Sequence, residues 1–393
     1  MYACVIVGAG FAGAVCARKL AEDFGYNVLL IEERNTIGGN MYDYYDQNGI
    51  LIHKYGPHIM ATMSKEVFDF LLRFSEWHPY HHEVKAEIDG LLIPLPINFK
   101  SIDFLYPPYQ ASSLKKILLQ QFGDRENVTI QELLNSSEVE IRSFAEHVYE
   151  KVFVHYSEKM WGQKCETIDA SVMARVPVRL SYDTRYFQKC FQYMPDMGYT
   201  KLFERMLDHP KITVKLGCKS EDVIRIDTEA NKIMLDNELL ANDVVIYTGA
   251  LDRLFQYQYG ELPYRTIAFK HETHHKDYVQ DVAVVNYPDS RPATRRTEMK
   301  LLTGQTKEGV TSTVTEYPHA FVKDNPMYCE PYYPIQNASN SELYEKYRDL
   351  ASRHTGLFIV GRLAEYRYYN MDDVILRALT MVNDIADYIA QSN

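Results

Sequence analysis

The side chains best suited to chemistry in this sequence are cationic and aromatic residues beside glycine or proline. They form three clusters, which are His53-Lys54-Tyr55-Gly56-Pro57-His58, residues 156–162 followed by 175–179, and residues 361–369. Guanidinium groups bind phosphates in a bidentate manner, and aromatic rings stack on other rings. The sequence contains no G-x-S-x-G, H-E-x-x-H, P-loop or paired-carboxylate signature. The clusters therefore indicate chemistry that a cofactor supplies and that these side chains arrange.

A glycine-rich turn near the start predicts a dinucleotide site. A short apolar run at residues 3–7 leads into Gly8-Ala9-Gly10-Phe11-Ala12-Gly13, a helical stretch, and a buried strand at residues 28–31 that ends at Glu32. In such a β-α-β unit the glycines allow a tight turn, close approach of a pyrophosphate and close packing of helix on strand. The helix N-terminus offers donors to the phosphates, and Glu32 can accept ribose hydroxyls.

A second glycine pair, Gly38-Gly39, follows the acidic residue and precedes Asn40. A plain NAD domain has no need of this pair, whereas it would let the backbone pass close to a bulkier cofactor. We therefore favour FAD over NAD. The alternative is an ordinary loop with a glycine turn.

The remaining pattern predicts the elements that must position these clusters. The chain ends, as it begins, on a strand, a glycine turn and a helix, so we expect its C-terminal part to return to the N-terminal sheet. We also expect Thr248-Gly249 to lie near the nucleotide site. The predicted elements are a helix at 64–76, strands at 84–88 and 91–94, helices within 113–158, strands at 212–216, 222–226, 232–235, 244–247, 283–287, 298–302, 312–316 and 357–360, and a helix at 372–389.

The composition is that of a globular protein with two or three domains. The chain has 393 residues, of which 46% are hydrophobic, and a net charge of −11. An acidic body argues against nucleic acid or an anionic membrane as the main partner, and no apolar run approaches the ~20 residues of a membrane span. The six cysteines form no C-x-x-C pair. We therefore expect reduced cytoplasmic thiols and no metal site.

Taken together, the motifs resemble those of the UDP-galactopyranose mutase family over essentially the whole chain. Beyond the first glycine turn, the matching segments are Ile37-Gly38-Gly39-Asn40, His53 to His58, Leu95-Pro96-Ile97-Asn98, Trp161-Gly162, Pro177-Val178-Arg179, Met194-Pro195, Gly198-Tyr199-Thr200, Tyr264-Arg265, Thr294-Arg295, Glu316-Tyr317-Pro318, Pro331-Tyr332-Tyr333-Pro334 and residues 361–371.

The resemblance implies an α/β fold with three domains. A discontinuous FAD-binding Rossmann-like domain would take residues 1–78, 196–262 and 345–393. A helical-bundle insertion would take residues 100–170. An antiparallel β-sheet substrate domain would take residues 79–99, 171–195 and 263–344. The resemblance also implies a cytoplasmic homodimer.

The implied activity is that of an isomerase. It interconverts the pyranose and furanose forms of a nucleotide sugar, with UDP-galactose as the default, through a covalent flavin N5–sugar adduct. The flavin must be reduced, so an external reductant such as NAD(P)H is expected. The furanose product would enter cell-surface polysaccharide biosynthesis.

The resemblance also assigns roles to residues. Arg179 and Arg295 would clamp the diphosphate, Tyr368 would reach the phosphates, and His58 would approach the reacting edge of the flavin. The implied substrate-binding residues are Val152, Phe153, Ser157, Trp161, Phe191, Asn286, Tyr317, His82 and Arg185. The implied cofactor-binding residues are Gly8, Gly10, Phe11, Gly13, Glu32, Arg34, Gly39, Asn40, Pro57, His58, Ile59, Gly361, Arg362, Asn370, Met371 and Val374.

Several positions depart from the family pattern. They are Ala61 for a histidine, His82 for an asparagine, Arg185 for an asparagine, Phe191 for a tyrosine, Tyr193 for a glycine and Asn370 for an aspartate. The phosphate clamp survives, so the chemistry should persist with a changed substrate such as dTDP-fucose, UDP-arabinose, UDP-N-acetylgalactosamine or a heptose nucleotide. A compensating exchange between positions 61 and 82 is the alternative within a galactose enzyme.

Two other classes of protein stay open. A flavin-dependent oxidoreductase, such as an amine oxidase or a desaturase, could share the FAD domain, but it would have no use for a diphosphate clamp. A non-catalytic flavin-binding relative would bind FAD without turning over any nucleotide sugar.

Overall fold

The computed structural model describes residues 2–168, 176–229, 231–235, 244–328 and 330–392. The helices are α1 (Phe11–Asp23), α2 (Lys65–Leu72), α3 (Phe99–Leu105), α4 (Pro108–Phe122), α5 (Ile130–Leu134), α6 (Val139–Val148), α7 (His155–Trp161), α8 (Tyr199–Leu207), α9 (Leu251–Leu254), α10 (Met299–Thr303), α11 (Ala338–Ser352) and α12 (Met371–Ser392). A π-helical segment, Tyr149–Val154, joins α6 to α7.

The strands are β1 (Cys4–Val7), β2 (Val28–Glu32), β3 (Asp43–Tyr45), β4 (Leu51–His53), β5 (Met60–Thr62), β6 (Trp77–Pro79), β7 (Val84–Ile88), β8 (Leu91–Leu95), β9 (Asn127–Val128), β10 (Val178–Arg179), β11 (Phe191–Pro195), β12 (Ile212–Leu216), β13 (Ile224–Asp227), β14 (Lys232–Leu235), β15 (Val245–Tyr247), β16 (Tyr264–His274), β17 (Val284–Asn286), β18 (Arg295–Glu298), β19 (Thr311–Ala320), β20 (Tyr333–Pro334) and β21 (Leu357–Ile359).

A five-stranded parallel sheet, in the order β12-β2-β1-β15-β21, carries the glycine-rich turn. Successive side chains of a strand point to opposite faces. Ile6 therefore faces a core that includes residues of α1 and α12, while Val5 faces a second core with Tyr347 of α11. Helices cover both faces, as parallel sheets require. Since β21 pairs with β15, the prediction that the C-terminal part returns to this sheet is confirmed.

The predicted helical insertion runs from α3 to α7. Asn98 caps α3 by accepting hydrogen bonds from the backbone N–H groups of Lys100 and Ser101. The bundle buries side chains at helical spacing, such as Leu114 and Leu118 of α4 and Phe144 of α6. These side chains belong to the same core as Ile6 of β1, so the insertion packs as part of the main core.

A seven-stranded sheet has the order β20-β16-β19-β18-β17-β7-β8. All of its neighbouring strands are antiparallel except β7 and β17, which run parallel. Residues paired across neighbouring strands share a face. One face, here called the site face, therefore presents the row Ala86, Asn286, Arg295, Glu316 and Phe269.

One predicted strand is wrong. Residues 298–302 were expected to extend, but β18 ends at Glu298 and α10 begins at Met299. Met299 and Leu302 are both fully buried, three residues apart, and Gly304 adopts φ +71° just beyond the helix end. A short apolar run with this spacing fits a helical turn as well as a strand, so tertiary packing decides between them.

A three-stranded sheet has the order β5-β11-β6 and contains positions 61 and 191–193. Within the described residues, no helix is long and apolar enough to cross a membrane.

Candidate active site

The glycine-rich turn has a geometry that leaves room for only a hydrogen at two positions. Gly8 has φ +99°, and a Cβ there would lie 2.2 Å from the hydroxyl of Thr248. A Cβ on Gly13 would lie 1.9 Å from the carbonyl oxygen of Gly8. A Cβ on Gly10, by contrast, would meet nothing closer than Gly39 Cα at 3.8 Å. Gly10 therefore borders open space at the N-terminus of α1, where a pyrophosphate would lie.

The loops around this cradle are tied together by Glu32. Its carboxylate accepts hydrogen bonds from the backbone N–H groups of Ala9 and Arg34, both at 2.9 Å. The Arg34 side chain contacts Asn40 and forms an ion pair with Glu330 at 2.5 Å. Glu32 thus sits at the end of β2, as the motif predicts for a ribose contact.

The C-terminal segment closes on the same cradle. Gly361 has φ +109°, and a Cβ on it would lie 3.1 Å from Ala12 Cβ at the start of α1. Arg362 follows and donates to the carbonyl oxygen of Tyr369, at 2.7 Å from Nη2. Asn370 precedes α12, of which Met371 is the first residue, and Val374 N donates to Asn370 O.

His58 follows Pro57 in the loop after β4, and its imidazole is uncharged at neutral pH. Its backbone N–H donates to Nδ1 of His53, and its own Nδ1 is buried without a partner. Burial, with the charges of His53 and Arg362, lowers the pKa of His58 to about 3. The imidazole is therefore uncharged at neutral pH, and its unpaired nitrogen fits a ligand beside it. Ile59 leads from here into β5.

Arg295 lies at the centre of the site face. Its Nε is 2.8 Å from a carboxylate oxygen of Glu316, which is fully buried, yet neither atom has a properly oriented hydrogen-bond partner. Gly56 packs over this pair, since a Cβ there would lie 2.9 Å from Glu316 Oε1. The Asn286 side-chain oxygen, next in the row, is also buried and unpaired. Such unsatisfied polar atoms in one row indicate a place for a polar ligand.

Three tyrosines surround Arg295. Burial raises the pKa of Tyr156, Tyr186 and Tyr333, and in each case the positive charge of Arg295 opposes that rise. All three hydroxyls therefore stay protonated near neutrality and can donate hydrogen bonds to an anion. Burial also lowers the pKa of His82 to about 3, with Arg295 adding to the effect.

An aromatic corner forms where α7 meets the C-terminal segment. The Trp161 ring centroid is 6.3 Å from both Tyr333 and Tyr368, and the two tyrosines stack at 5.2 Å. The Arg362 guanidinium lies 5.4 Å from the Tyr333 ring and 5.5 Å from the Tyr368 ring. This corner can stack on a flat ring and bring a cation to it.

Arg179 approaches the site from β10. It is 2% exposed, and burial lowers the pKa of its guanidinium. Its terminal nitrogens donate to the carbonyl oxygens of Arg185 and Tyr186, the latter at 2.8 Å, while its Nε is buried and unpaired. Tyr186 relates the two predicted clamp residues, since Arg179 donates to its carbonyl oxygen and the charge of Arg295 opposes the rise of its pKa.

Tyr317 is a correction to the sequence prediction. It follows Glu316 on β19, so its side chain points to the opposite face, where it packs against Val285 and Tyr287. This placement contradicts the expectation that Tyr317 binds the substrate in the pocket with Arg295. Tyr333 lies there instead.

The other predicted substrate residues have varied surroundings. Val152, Phe153 and Ser157 are buried in the π-helical segment and α7. The Phe191 ring lies 4.9 Å from Phe68 of α2, which also stacks on Tyr193 at 4.5 Å. The Arg185 side chain is 44% exposed and pairs with Asp183. Their contacts with substrate stay predictions.

Sequence reasoning missed Tyr156, Tyr186, Tyr333 and Glu316 as site residues. Tyr156, Tyr333 and Glu316 belong to motifs recognised in the sequence, so a signal existed for these three, whereas Tyr186 lies outside every recognised motif. Spacing along the chain does not give the directions of these four side chains, because the residues reach Arg295 from four separate stretches of chain.

The fold and the site define a class of protein, an α/β enzyme with a dinucleotide cradle beside a cationic pocket lined by aromatic rings. Two family models match the chain, and both agree with this class of protein. The model described as UDP-galactopyranose mutase covers residues 151–368, and the model of an NAD(P)-binding Rossmann-like domain covers residues 6–74. The UDP-galactopyranose mutase of Mycoplasma pneumoniae is 36% identical over 97% of this chain and 95% of its own length.

Two further proteins resemble the chain. The dTDP-fucopyranose mutase of Escherichia coli is 35% identical over 95% of this chain and 96% of its own length. A crystal structure of reduced UDP-galactopyranose mutase shares the fold, with a TM-score of 0.74 at 18% identity, covering 100% of this chain and 97% of its own. The chain belongs to the UDP-galactopyranose mutase family, and its enzyme class is that of an isomerase. The predicted family and fold class are confirmed.

Proposed function

We propose that the protein interconverts the pyranose and furanose forms of a nucleotide sugar with FAD as its cofactor, and that UDP-galactose is the default substrate. The observation that carries the proposal is the pocket around Arg295. It combines a half-buried guanidinium, three tyrosine hydroxyls and an unpaired asparagine oxygen next to the dinucleotide cradle. Family membership supports the same reaction class.

FAD fits the residues present. Gly8, Gly10 and Gly13 leave space for a pyrophosphate at the start of α1, and the buried Nδ1 of His58, which lacks a hydrogen-bond partner in the protein, could pair with a flavin ring. When reduced, the flavin would supply the nucleophile, its N5 atom, for the anomeric carbon. An external reductant such as NAD(P)H would keep it reduced. We also propose that the protein is a cytoplasmic homodimer.

The chain's own residues would do the rest. Arg295 and Arg179 would hold the diphosphate and stabilise its negative charge as it leaves the sugar. Tyr156, Tyr333 and Tyr368 would bind phosphate oxygens, and Trp161 would lie against the base. Glu316 would hold the Arg295 side chain in the pocket while water is excluded by the loop at Gly56.

The test is turnover by dithionite-reduced protein on a panel of nucleotide sugars, with pyranose–furanose exchange followed by NMR. We expect exchange with at least one pyranosyl nucleotide and none with the oxidised protein. Equal turnover in both redox states would contradict the role of reduced FAD. No exchange with any nucleotide sugar would contradict the function.

A second candidate differs only in substrate. The chain is nearly as similar to a dTDP-fucopyranose mutase as to a UDP-galactopyranose mutase, so identity does not separate them. Ala61 removes a polar side chain from the sugar shell, which favours a sugar that lacks a matching hydroxyl, because an unpaired buried donor costs ~1–3 kcal/mol. Higher kcat/KM for dTDP-fucose than for UDP-galactose in the same panel would establish it.

A further inference from the structure

Two cations, the buried Arg265 and the half-buried Lys159, tie α7 to separate parts of the seven-stranded sheet. Lys159 Nζ donates to three carbonyl oxygens of the loop between β17 and β18, those of Tyr287 at 2.5 Å, Arg291 at 3.0 Å and Ala293 at 2.9 Å. Arg265, from β16, donates through Nε to Met160 O at 2.7 Å and through Nη2 to Lys159 O at 2.8 Å. Both anchors therefore act at the C-terminal end of α7.

The Arg265 anchor satisfies the end of a helix. The last carbonyl groups of a helix have no partner within it, and α7 ends at Gly162 in the left-handed region, φ +65°. A Cβ on Gly162 would lie 2.6 Å from Arg265 Nη1, so the guanidinium fills the space beside the glycine. Arg265 is 7% exposed, and burial lowers its pKa. Within the described ranges no carboxylate forms an ion pair with it.

A buried guanidinium held only by carbonyl groups is an expensive way to stabilise a fold, because the charge loses its hydration. The Lys159 ammonium is half-buried and likewise donates to carbonyl groups. Burial lowers its pKa to about 8, so it is still charged at neutral pH and keeps all three donors for its three carbonyls. Two such cations act on one short helix, Lys159 from α7 itself and Arg265 from β16, which indicates that the position of α7 matters.

The anchors join the two halves of the pocket. Trp161 is the last residue of α7, and its ring contacts Tyr333, which is paired with Arg265 across β16 and β20. The loop that Lys159 grips connects Asn286 to Arg295. Arg265 therefore fixes the aromatic corner, and Lys159 fixes the distance from α7 to the row that carries the guanidinium.

The other end of α7 continues a π-helical segment, Tyr149–Val154, and π-turns are rare. This segment buries Val152 and Phe153, so the N-terminal end of α7 is held by packing. The two anchors add the polar contacts that hold its C-terminal end.

We infer that Lys159 and Arg265 are positioning residues that set α7 over the site face, so that one nucleotide can contact Trp161 and Arg295 at the same time. This inference rests on the proposed function. It predicts that loss of either anchor weakens nucleotide binding although neither side chain touches the nucleotide.

The experiment measures the binding of UDP and of dTDP to FAD-loaded protein by calorimetry, followed by steady-state kinetics on the best substrate. Lys159→Met keeps the aliphatic stem and removes all donors, and Arg265→Met does the same for the guanidinium. We expect the Kd for the nucleotide to rise about 10- to 100-fold, as for a lost charged hydrogen bond. We expect KM to rise in parallel while kcat stays within about threefold, since Arg295 still meets the leaving charge.

Arg291→Met is the matched control. Its side chain belongs to the loop that Lys159 grips, but it turns to Glu87 and Asp289 and stacks on Tyr287. Only its backbone oxygen contacts Lys159. We expect nucleotide affinity and KM as in the parent protein. Arg265→Lys should restore part of the affinity, because one ammonium can serve only part of the two-carbonyl site.

The outcomes separate the two proposals. If UDP or dTDP binds the parent protein and both methionine variants equally, the positioning role is overturned while the function stands. If affinity falls together with FAD content and the melting temperature, the residues are merely structural and the inference is also overturned. Should both methionine variants fail to fold, Lys159→Arg and Arg265→Lys carry the same comparison. A parent protein that binds FAD but neither nucleotide contradicts the proposed function itself.

Discussion

Arg295 combines two properties that rarely occur together in one side chain. Burial opposes its charge, yet Glu316 and the surrounding tyrosines outweigh that effect and raise its pKa, so the guanidinium stays positive in a half-buried pocket. A fixed positive charge in such surroundings acts most strongly on charge that develops during the reaction. The Glu316 carboxylate keeps the site close to neutral before substrate arrives.

The first prediction concerns the two clamp arginines. Arg179→Ala and Arg295→Ala should each lower kcat by about 10²–10³, because each removes a donor that stabilises the leaving diphosphate. Arg295→Lys should recover little activity, since ammonium lacks the planar fork, but it keeps a positive charge beside Glu316 and should keep the melting temperature. The measurement is steady-state kinetics of reduced protein together with thermal unfolding.

Arg296→Ala is the control for this pair. Arg296 is the next residue on β18, and its Nε donates to Gln280 at 3.0 Å on the opposite face of the sheet. Near-parental kcat is expected. Near-parental kcat in both Arg179→Ala and Arg295→Ala would remove the clamp assignment.

The second prediction concerns the altered sugar shell. Ala61 is 7% exposed and is paired with Gln192 on β11, whose side-chain oxygen is buried and unpaired. His82 lies 3.4 Å from the Tyr80 hydroxyl. Restoring the family pattern with Ala61→His and His82→Asn together should raise kcat/KM for UDP-galactose relative to the native substrate by about 5- to 150-fold.

The comparison needs each single variant and the parent on the same panel. A parent protein that already prefers UDP-galactose over every other nucleotide would contradict this prediction. It would instead support a compensating exchange between positions 61 and 82.

At the scale of elements, the β1–α1–β2 unit separates two uses of glycine. Gly13 is needed by the fold, because its missing side chain lets α1 approach Gly8 O. Gly10 has room around it within the protein and borders the cradle. The two positions therefore distinguish packing from cofactor binding within one turn of helix.

The third prediction follows from that difference. Gly10→Ala should leave the fold intact but lower FAD affinity by about tenfold or more, since its methyl group enters the space of the pyrophosphate. Gly13→Ala should reduce stability by about 1–3 kcal/mol, because it overpacks a tight helix–strand contact. The measurements are FAD content with its dissociation constant, and urea unfolding. Equal losses of FAD and of stability in both variants would contradict this division.

At the scale of the whole molecule, acid should destabilise the protein in a range where few carboxylates titrate. His58 and His82 both have a folded-state pKa of about 3, caused first by burial. The unfolded chain, with histidine pKa values near ~6.5, binds more protons between these limits, so the free energy of unfolding rises with pH there. The stabilisation is present above about pH 6.5 and is lost as the pH falls.

The fourth prediction concerns how much the free energy of unfolding decreases as the pH falls. Well below pH ~6.5, each of the two histidines contributes a slope of about 1.4 kcal/mol per pH unit. In His82→Asn the slope of the free energy of unfolding against pH should decrease by about 1.4 kcal/mol per pH unit, which corresponds to one proton. Urea unfolding at a series of pH values between about 5 and 7 measures it. An unchanged slope in the variant would show that His82 is protonated in the folded protein.

Several features could be predicted from the sequence because they depend on local chemistry. Gly8, Gly10 and Gly13 with Glu32 defined the β-α-β unit, because such a turn has few alternatives for a chain that must pass a pyrophosphate. Hydrophobic periodicity defined the helical insertion, and the repeated strand–glycine–helix pattern predicted that β21 joins the first sheet. Ordered motifs identified the family. The domain boundaries are still predictions, although the five-stranded sheet takes its strands from all three segments proposed for the FAD domain.

Other features were decided only by tertiary structure. Tyr317 and Tyr333 both precede a proline in a matched motif, yet strand register directs one away from Arg295 and the other towards it. A one-residue difference on a strand reverses the face, and spacing along the chain does not reveal which face is covered. Residues 298–302 became a strand end and a helix for a similar reason, because burial of Met299 and Leu302 outweighed a weak local preference. The pocket itself exists only where distant segments converge, so its charges and unpaired atoms are properties of the fold rather than of any motif.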